Sequence, residues 1–152
     1  MWLDFPSVGG ISPDIPVKMD TVHYFTIRKN AISIKSANTP WVSASAIGGV
    51  RSMEITLTKE ENQPETSYSV ILYFSELENK KPGERVFNIA LQNIPVLEKF
   101  DIVSEAGRSD KEVIKSFTGI RAGKTLKIDL TPIKGNTIIS GIELIQETVA
   151  VK

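Results

Sequence analysis

Residues 68–76, which read YSVILYFSE, decide the fold class of this chain. Large apolar or aromatic side chains stand at every second position from Tyr68 to Phe74, and Tyr73 is one of the residues between them. Because successive side chains of a β-strand point to opposite faces of its sheet, this period of two predicts a strand with one buried face. We therefore expect Phe74 to lie in the core and Tyr73, on the opposite face, to lie at the outer surface.

The same alternation recurs in other parts of the chain. Further strands are predicted at 53–57, 87–91 and 126–130, and β-rich runs occupy 22–27, 112–117 and 138–145. Proline and glycine mark turns between them, at Lys80–Gly83, Ala122–Lys124 and Pro132–Asn136. Strands separated by such turns roughly every 8–12 residues predict an all-β protein, an antiparallel sandwich or a barrel.

No linker, repeat or low-complexity tract interrupts this pattern, so we predict one domain over residues 1–152. The only stretch with helical character is Thr58–Gln63, and it is short. Residues 7–16 contain two glycines and two prolines, which predicts a long loop.

The composition excludes several classes of function. The chain has no cysteine, which excludes disulfides, thiol nucleophiles and cysteine-bound zinc. Eighteen basic and eighteen acidic residues cancel, so charge gives no reason to expect nucleic acid or a membrane as partner. Residues 1–6 do not have the pattern of a signal peptide, and no apolar run approaches the length of a membrane span.

Five blocks of sequence, in order and at matching spacing, resemble the malectin family of carbohydrate-binding modules. The blocks read YSVILYFSE at 68–76, PGERVFNI at 82–89, VLEKFDI at 96–102, LKIDLTP at 126–132 and ISGIE at 139–143. The resemblance implies a jelly-roll-like antiparallel β-sandwich and, for the family, non-catalytic binding of glucose-containing saccharides by loops at one end. The chain looks closer to bacterial modules appended to larger exported proteins than to the animal lectin, which implies a periplasmic, cell-surface or secreted location and other domains of a parent protein as partners.

Two positions depart from the pattern of the animal lectin of this family. In that lectin, the block that corresponds to residues 74–76 is followed by an aromatic pair that stacks on sugar. This chain has Glu78 and Asn79 at the positions of that pair. The family uses an acidic residue in the last loop before the ISGIE block, where this chain has Gly135 and Asn136. A specificity for diglucose therefore does not carry over to this chain.

A sugar site needs a flat aromatic face for the C–H side of a ring and polar groups for the hydroxyls. Trp41 follows a proline and precedes a run of small residues, which favours exposure of its ring at a loop edge, although packing over the end of the core is the alternative. We predict a shallow saccharide-binding site formed by aromatic and polar residues near the loops: Trp41, Tyr24, Tyr73, Glu78, Asn79 and Asn136.

The sequence gives little indication of catalysis or of metal binding. His23 is the only histidine, and no nucleophile motif is present, so we predict no enzyme activity. A hydrolase would need a pair of carboxylates, and the candidates are Glu76, Glu78, Asp101 and Glu105. A structural role is the alternative, because Arg85 is available as an ion-pair partner. We predict no cofactor; a structural calcium ion on the aspartates at 4, 14 and 20 is conceivable, but no calcium-loop motif supports it.

Two other functions compete with saccharide binding. The missing aromatic pair favours a structural or protein–protein interaction module that is accessory to a larger secreted protein. A small hydrolase of an unrecognised kind is the third reading.

Overall fold

The computed structural model describes residues 17–19, 25–36 and 40–147 of the chain. The strands are β1 Val17–Met19, β2 Phe25–Arg28, β3 Ser45–Gly48, β4 Ser52–Thr56, β5 Thr66–Phe74, β6 Val86–Leu91, β7 Ile94–Phe100, β8 Val113–Ala122, β9 Thr125–Lys134, β10 Ile138–Ile139 and β11 Gly141–Gln146. The helical segments are short: a 3-10 turn at Ala31–Ser33, α1 at Pro40–Ser43 and α2 at Ile102–Ala106.

All strand pairs are antiparallel and form three sheets. One sheet has the order β1-β4-β9-β6-β7, and the other two have the orders β10-β3-β2 and β11-β5-β8. The two smaller sheets are joined through Ser140, the single residue between β10 and β11, whose N–H donates to the Tyr73 carbonyl at 2.8 Å. The predicted all-β antiparallel sandwich is confirmed.

The apolar side chains of all three sheets pack into one core. Leu72 and Phe74 of β5 meet Phe87 of β6 and Ile128 of β9 there, as the alternation predicts. Phe74, Phe87 and Phe100 form a ring cluster, with centroid distances of 4.8 Å for Phe74–Phe100 and 5.6 Å for Phe87–Phe100. These rings lie at the end of β5, near the start of β6 and at the end of β7, so the cluster lies beneath the β5–β6 connection and the start of α2.

Strand β8 lies at one edge of its sheet. Lys115 pairs in register with Leu72, so its side chain starts on the core-facing side of this edge strand. Its ammonium group lies 5.7 Å from the centre of the Phe100 ring and 2.5 Å from the Glu105 carboxylate on α2. The apolar stem of this lysine thus covers the core margin while its charge is paired.

Thr58–Gln63 forms turns rather than a helix, so the prediction of helical character there is wrong. The helices form elsewhere, at α1 and at α2, and α2 has a capping residue at each end. Asp101 caps its first turn by accepting from the Ser104 N–H, and Gly107 ends it at φ +82°.

The predicted turn at Pro132–Asn136 begins later than expected, because β9 continues to Lys134. Strand β4 pairs with β9 only up to Asp129, so no neighbour on that side requires the N–H that Pro132 lacks. On the other side, Pro132 pairs with Phe87 where the register of β6 and β9 shifts. A proline is therefore tolerated within this strand.

Candidate functional site

Four connecting segments meet at one end of the sandwich, which we call the loop end: residues 29–36, 75–85, 107–112 and 134–137. The Asp110 N–H donates to the Glu76 carbonyl at 2.9 Å, and the Lys35 N–H donates to the Asp110 carbonyl at 2.8 Å. Arg85 joins the last segment by donating from Nη1 to the Asn136 carbonyl at 2.8 Å. Hydrogen bonds therefore hold the four segments together.

Arg85 is the centre of the loop end and is almost completely buried. Its Nε donates to Glu76 Oε1 at 2.6 Å, and its Nη2 donates to Glu78 Oε1 at 3.0 Å. Glu76 is fully buried, and its second oxygen accepts the Glu78 N–H at 2.9 Å. The prediction that Glu76 is a structural partner of Arg85 is confirmed.

This arrangement fixes the position of Glu78. Its carboxylate is held by a buried guanidinium, yet its side chain remains 35% exposed. A carboxylate that is orientated before a ligand arrives loses less conformational entropy on binding. Glu78 is therefore a preorganised hydrogen-bond acceptor at the surface of the loop end.

Asn79 and Asn136 supply two exposed amide groups near this carboxylate. Asn79 follows Glu78 directly and has φ +54°, and neither amide side chain forms a hydrogen bond with the described residues. Gly135, at φ +66°, allows the last loop to approach Arg85, because a Cβ at this position would lie 2.7 Å from the Glu84 carbonyl oxygen. The structure thus brings three predicted site residues, Glu78, Asn79 and Asn136, to the loop end.

Trp41 lies on α1 and is 45% exposed, as the sequence predicts for a ring at a loop edge. The same helix is anchored by buried Val42 and by Ser43, whose hydroxyl donates to Glu112. Ser36 Oγ donates to the other oxygen of Glu112 at 2.8 Å, so residues 36 and 43 share one carboxylate. No hydrogen bond or ring contact within the described residues joins Trp41 to Glu78, Asn79 or Asn136.

Tyr73 is not at the outer surface, and that prediction is wrong. It does lie on the face opposite Phe74, but it is only 7% exposed, and its hydroxyl donates to Glu143 Oε2 at 2.7 Å. The reason is that α1 packs against β5 and covers part of this face. The predicted site residue Tyr24 lies outside the described residues, so its place in the site stays a prediction.

The buried phenol of Tyr73 should contribute to a pH dependence of stability. Burial, the hydrogen bond with Glu143, and the charges of Glu143 and Glu112 raise the pKa of Tyr73 to about 12. Because the folded-state pKa lies above the unfolded value of about 10, this contribution is complete below about pH 10 and is lost as the pH rises towards 12. We expect an ultraviolet titration of phenolate absorbance to show a late step that Tyr73→Phe removes; an unchanged titration would contradict this.

The remaining carboxylates of the supposed hydrolase pair have structural partners. Burial alone would raise the pKa of Asp101, but backbone N–H donors from Gly83 and Ser104 outweigh it and lower the pKa below its usual value. Glu105 is paired with Lys115. Within residues 17–19, 25–36 and 40–147, no group of three histidine, aspartate or glutamate side chains is arranged to hold a metal ion, and the aspartates at 4, 14 and 20 lie outside these ranges.

The described residues thus form an antiparallel sandwich with a polar end that is built from four connecting segments. The family model of the malectin domain matches residues 29–149, so this chain belongs to the malectin domain family, a family of non-catalytic binding domains. The match extends well upstream of the five blocks that resemble the family in the sequence.

Known relatives share this fold as one part of longer chains. Receptor-like protein 4 of Arabidopsis thaliana is 31% identical over 87 residues, which cover 55% of this chain and 14% of that protein. The ANXUR2 extracellular domain of Arabidopsis thaliana has a TM-score of 0.69 at 14% identity, over 86% of this chain and 40% of that one. A β-glucuronidase of Bacteroides uniformis has a TM-score of 0.64 at 16% identity, over 76% of this chain and 13% of that one.

The two structural likenesses show the fold, and the chain spans 13% to 40% of the lengths of these relatives. No helix among the described residues is long and apolar enough to cross a membrane.

The sequence did not predict that residues 29–36 form part of the loop end. Ser36 and Lys35 bind residues 110–112 through contacts that join positions more than seventy residues apart in the chain. Neither periodicity nor a local motif carries such a signal.

Proposed function

We propose that this domain binds a saccharide weakly, through the loop end, as an accessory module of a larger exported bacterial protein. Glu78, Asn79 and Asn136 serve the sugar hydroxyls, and Trp41 offers its ring to the C–H face of a sugar. The observation that carries the proposal is the buried Arg85, which holds Glu78 at the surface near two amides that form no hydrogen bond with the described residues. Tyr73 is left out of the contact surface because its ring is buried.

Membership of the malectin family and the likeness to a module of a β-glucuronidase support a saccharide as ligand. The likeness to extracellular domains supports a location outside the cytoplasm, with other domains of the parent chain as neighbours.

Substitution of Trp41 by alanine tests the aromatic part of the proposal. Loss of a stacking ring worth about 1.4 kcal/mol should weaken saccharide binding roughly tenfold. Isothermal titration calorimetry with gluco-oligosaccharides at millimolar concentration measures this, and Trp41→Phe should retain most of the affinity. Ile94→Ala is a matched control, because Ile94 is also exposed but lies on β7 beside the turn at the other end of the sandwich.

The polar part is tested by Asn136→Ala and Glu78→Gln, which should each weaken binding without a change in thermal stability of more than a few degrees. Absence of binding to any saccharide by the wild-type domain at millimolar concentration would refute the proposed function.

One observation favours the second candidate function, a protein–protein interaction module. Ile32, at the tip of the 3-10 turn, is 92% exposed, and this turn contacts α1, which carries Trp41. Asn30 caps this turn by accepting the Ile32 N–H at 3.1 Å. If docking to a neighbouring domain is the function, Ile32→Ser should weaken that docking, whereas saccharide binding should be unaffected.

A further inference from the structure

Two lysines lie side by side at the loop end. Lys35 and Lys111 form an isolated parallel bridge between residues 29–36 and 107–112. The Lys35 N–H donates to the Asp110 carbonyl at 2.8 Å, and the Glu112 N–H donates to the Lys35 carbonyl at 2.9 Å. Because neighbouring extended segments are about 4.8 Å apart, the two lysine side chains start from adjacent positions on the same side.

The acidic neighbours of this pair have other partners. Side chains alternate along extended backbone, so Glu112 lies on the side opposite Lys111. Asp110 is bound by Lys29 Nζ at 2.8 Å, and Glu112 is bound by the hydroxyls of two serines. Neither Lys35 nor Lys111 forms a salt bridge with any of the residues that the structure describes.

This lysine pair is unfavourable for the isolated domain. Like charges at directly paired positions repel each other and lower stability. Lys29, in the same segment as Lys35, is by contrast paired with Asp110. Two lysines that start from adjacent backbone positions and form no salt bridge with the described residues are therefore suited to an anionic group supplied by a ligand.

We propose that Lys35 and Lys111 bind the anionic group of an acidic saccharide, either a uronic acid carboxylate or a sulfate ester. This inference rests on the proposed saccharide function and names its ligand class. Two adjacent ammonium groups match an anion that has several acceptor oxygens, and the neighbouring Asp110–Glu76 hydrogen bond ties this pair to the segment that carries Glu78 and Asn79. The ligand then contributes the negative charge, while the amides and Glu78 serve its hydroxyls.

Calorimetry with three ligands of equal length tests the proposal: a neutral gluco-oligosaccharide, an oligouronate and a sulfated oligosaccharide. At low salt, at least one acidic ligand should bind about fivefold or more tightly than the neutral one, and this preference should shrink as salt screens the charges. The two acidic arms distinguish the carboxylate from the sulfate as the recognised group.

Single variants then locate the preference. Lys35→Gln and Lys111→Gln should each remove most of the preference for the acidic ligand and leave neutral binding unchanged. Lys59→Gln is the control, since Lys59 is exposed in the loop between β4 and β5, where Leu57 bonds to Lys124 in the turn at the other end of the sandwich. An unchanged preference in both glutamine variants overturns this inference and leaves the proposed function standing, whereas failure of all three ligands to bind overturns both.

A charge reversal separates a binding role from a merely structural one. Lys35→Glu places a carboxylate beside Lys111, so the melting temperature should rise while the preference for the acidic ligand is lost. A fall in melting temperature in this variant would show that the two lysines do not repel each other, and would overturn the argument.

Discussion

Replacement of Arg85 by leucine should lower the free energy of unfolding by about 3–5 kcal/mol, the typical cost of leaving a buried charge without its partner. Glu76 is fully buried and receives both a 2.6 Å and a 3.4 Å hydrogen bond from Arg85, and these would be lost together. The Asn136 carbonyl and Glu78 would lose the same partner. Urea denaturation followed by tryptophan fluorescence measures the change.

The double variant Arg85→Leu, Glu76→Leu distinguishes the cost of leaving one buried charge unpaired from the net contribution of the ion pair to stability. Because apolar replacement of a whole buried pair is often close to neutral, the double variant should regain much of the lost stability. It should not regain saccharide affinity, since Glu78 would no longer be held. A loss of less than about 1 kcal/mol in the single variant would mean that water reaches Glu76 readily and that the cluster does not organise the loop end.

Phe74→Ala should lower the free energy of unfolding by about 3–5 kcal/mol, through the cavity left in the core. Phe74 is fully buried and its ring packs edge-on against Phe100 at 4.8 Å. Because Ser75 and Glu76 follow it directly, the cavity opens beneath the loop end. We therefore expect weaker saccharide binding in addition to the lower unfolding free energy, both measured by the methods above.

Phe117→Ala is the matched control for this prediction. Phe117 belongs to the same sheet and packs against the same core, but it is only half-buried and lies towards the middle of β8. Its loss should cost clearly less and should leave saccharide binding unchanged. Equal losses in the two variants would contradict the assignment of Phe74 to the support of the loop end.

The strands of this protein are readable from its sequence because one face of most strands is buried. Leu126, Ile128 and Leu130 alternate with polar residues, and all three are buried in the structure. Tyr73 shows the limit of this reasoning. A strand pattern identifies the residues on the second face of a sheet but not the element that covers that face. The covering element here, α1, lies thirty or more residues before Tyr73 in the sequence.

The candidate site was predictable only in its local parts. Glu78, Asn79 and Asn136 lie next to motifs with a fixed place in the fold, so their position at one end followed from those motifs. The Lys35–Lys111 pair joins residues 29–36 to residues 107–112, two segments that lie far apart in the sequence. Tertiary contacts of this kind leave no periodic trace in either segment.

The position of Lys115 on the exposed margin of β8 has a consequence for a protein built from several such modules. A strand from another molecule that added itself alongside β8 would bury this ammonium group and disturb its contacts with Glu105 and Phe100. That penalty disfavours fibrous self-assembly at high local concentration. Copies tethered in tandem are therefore less prone to pair with each other through β8.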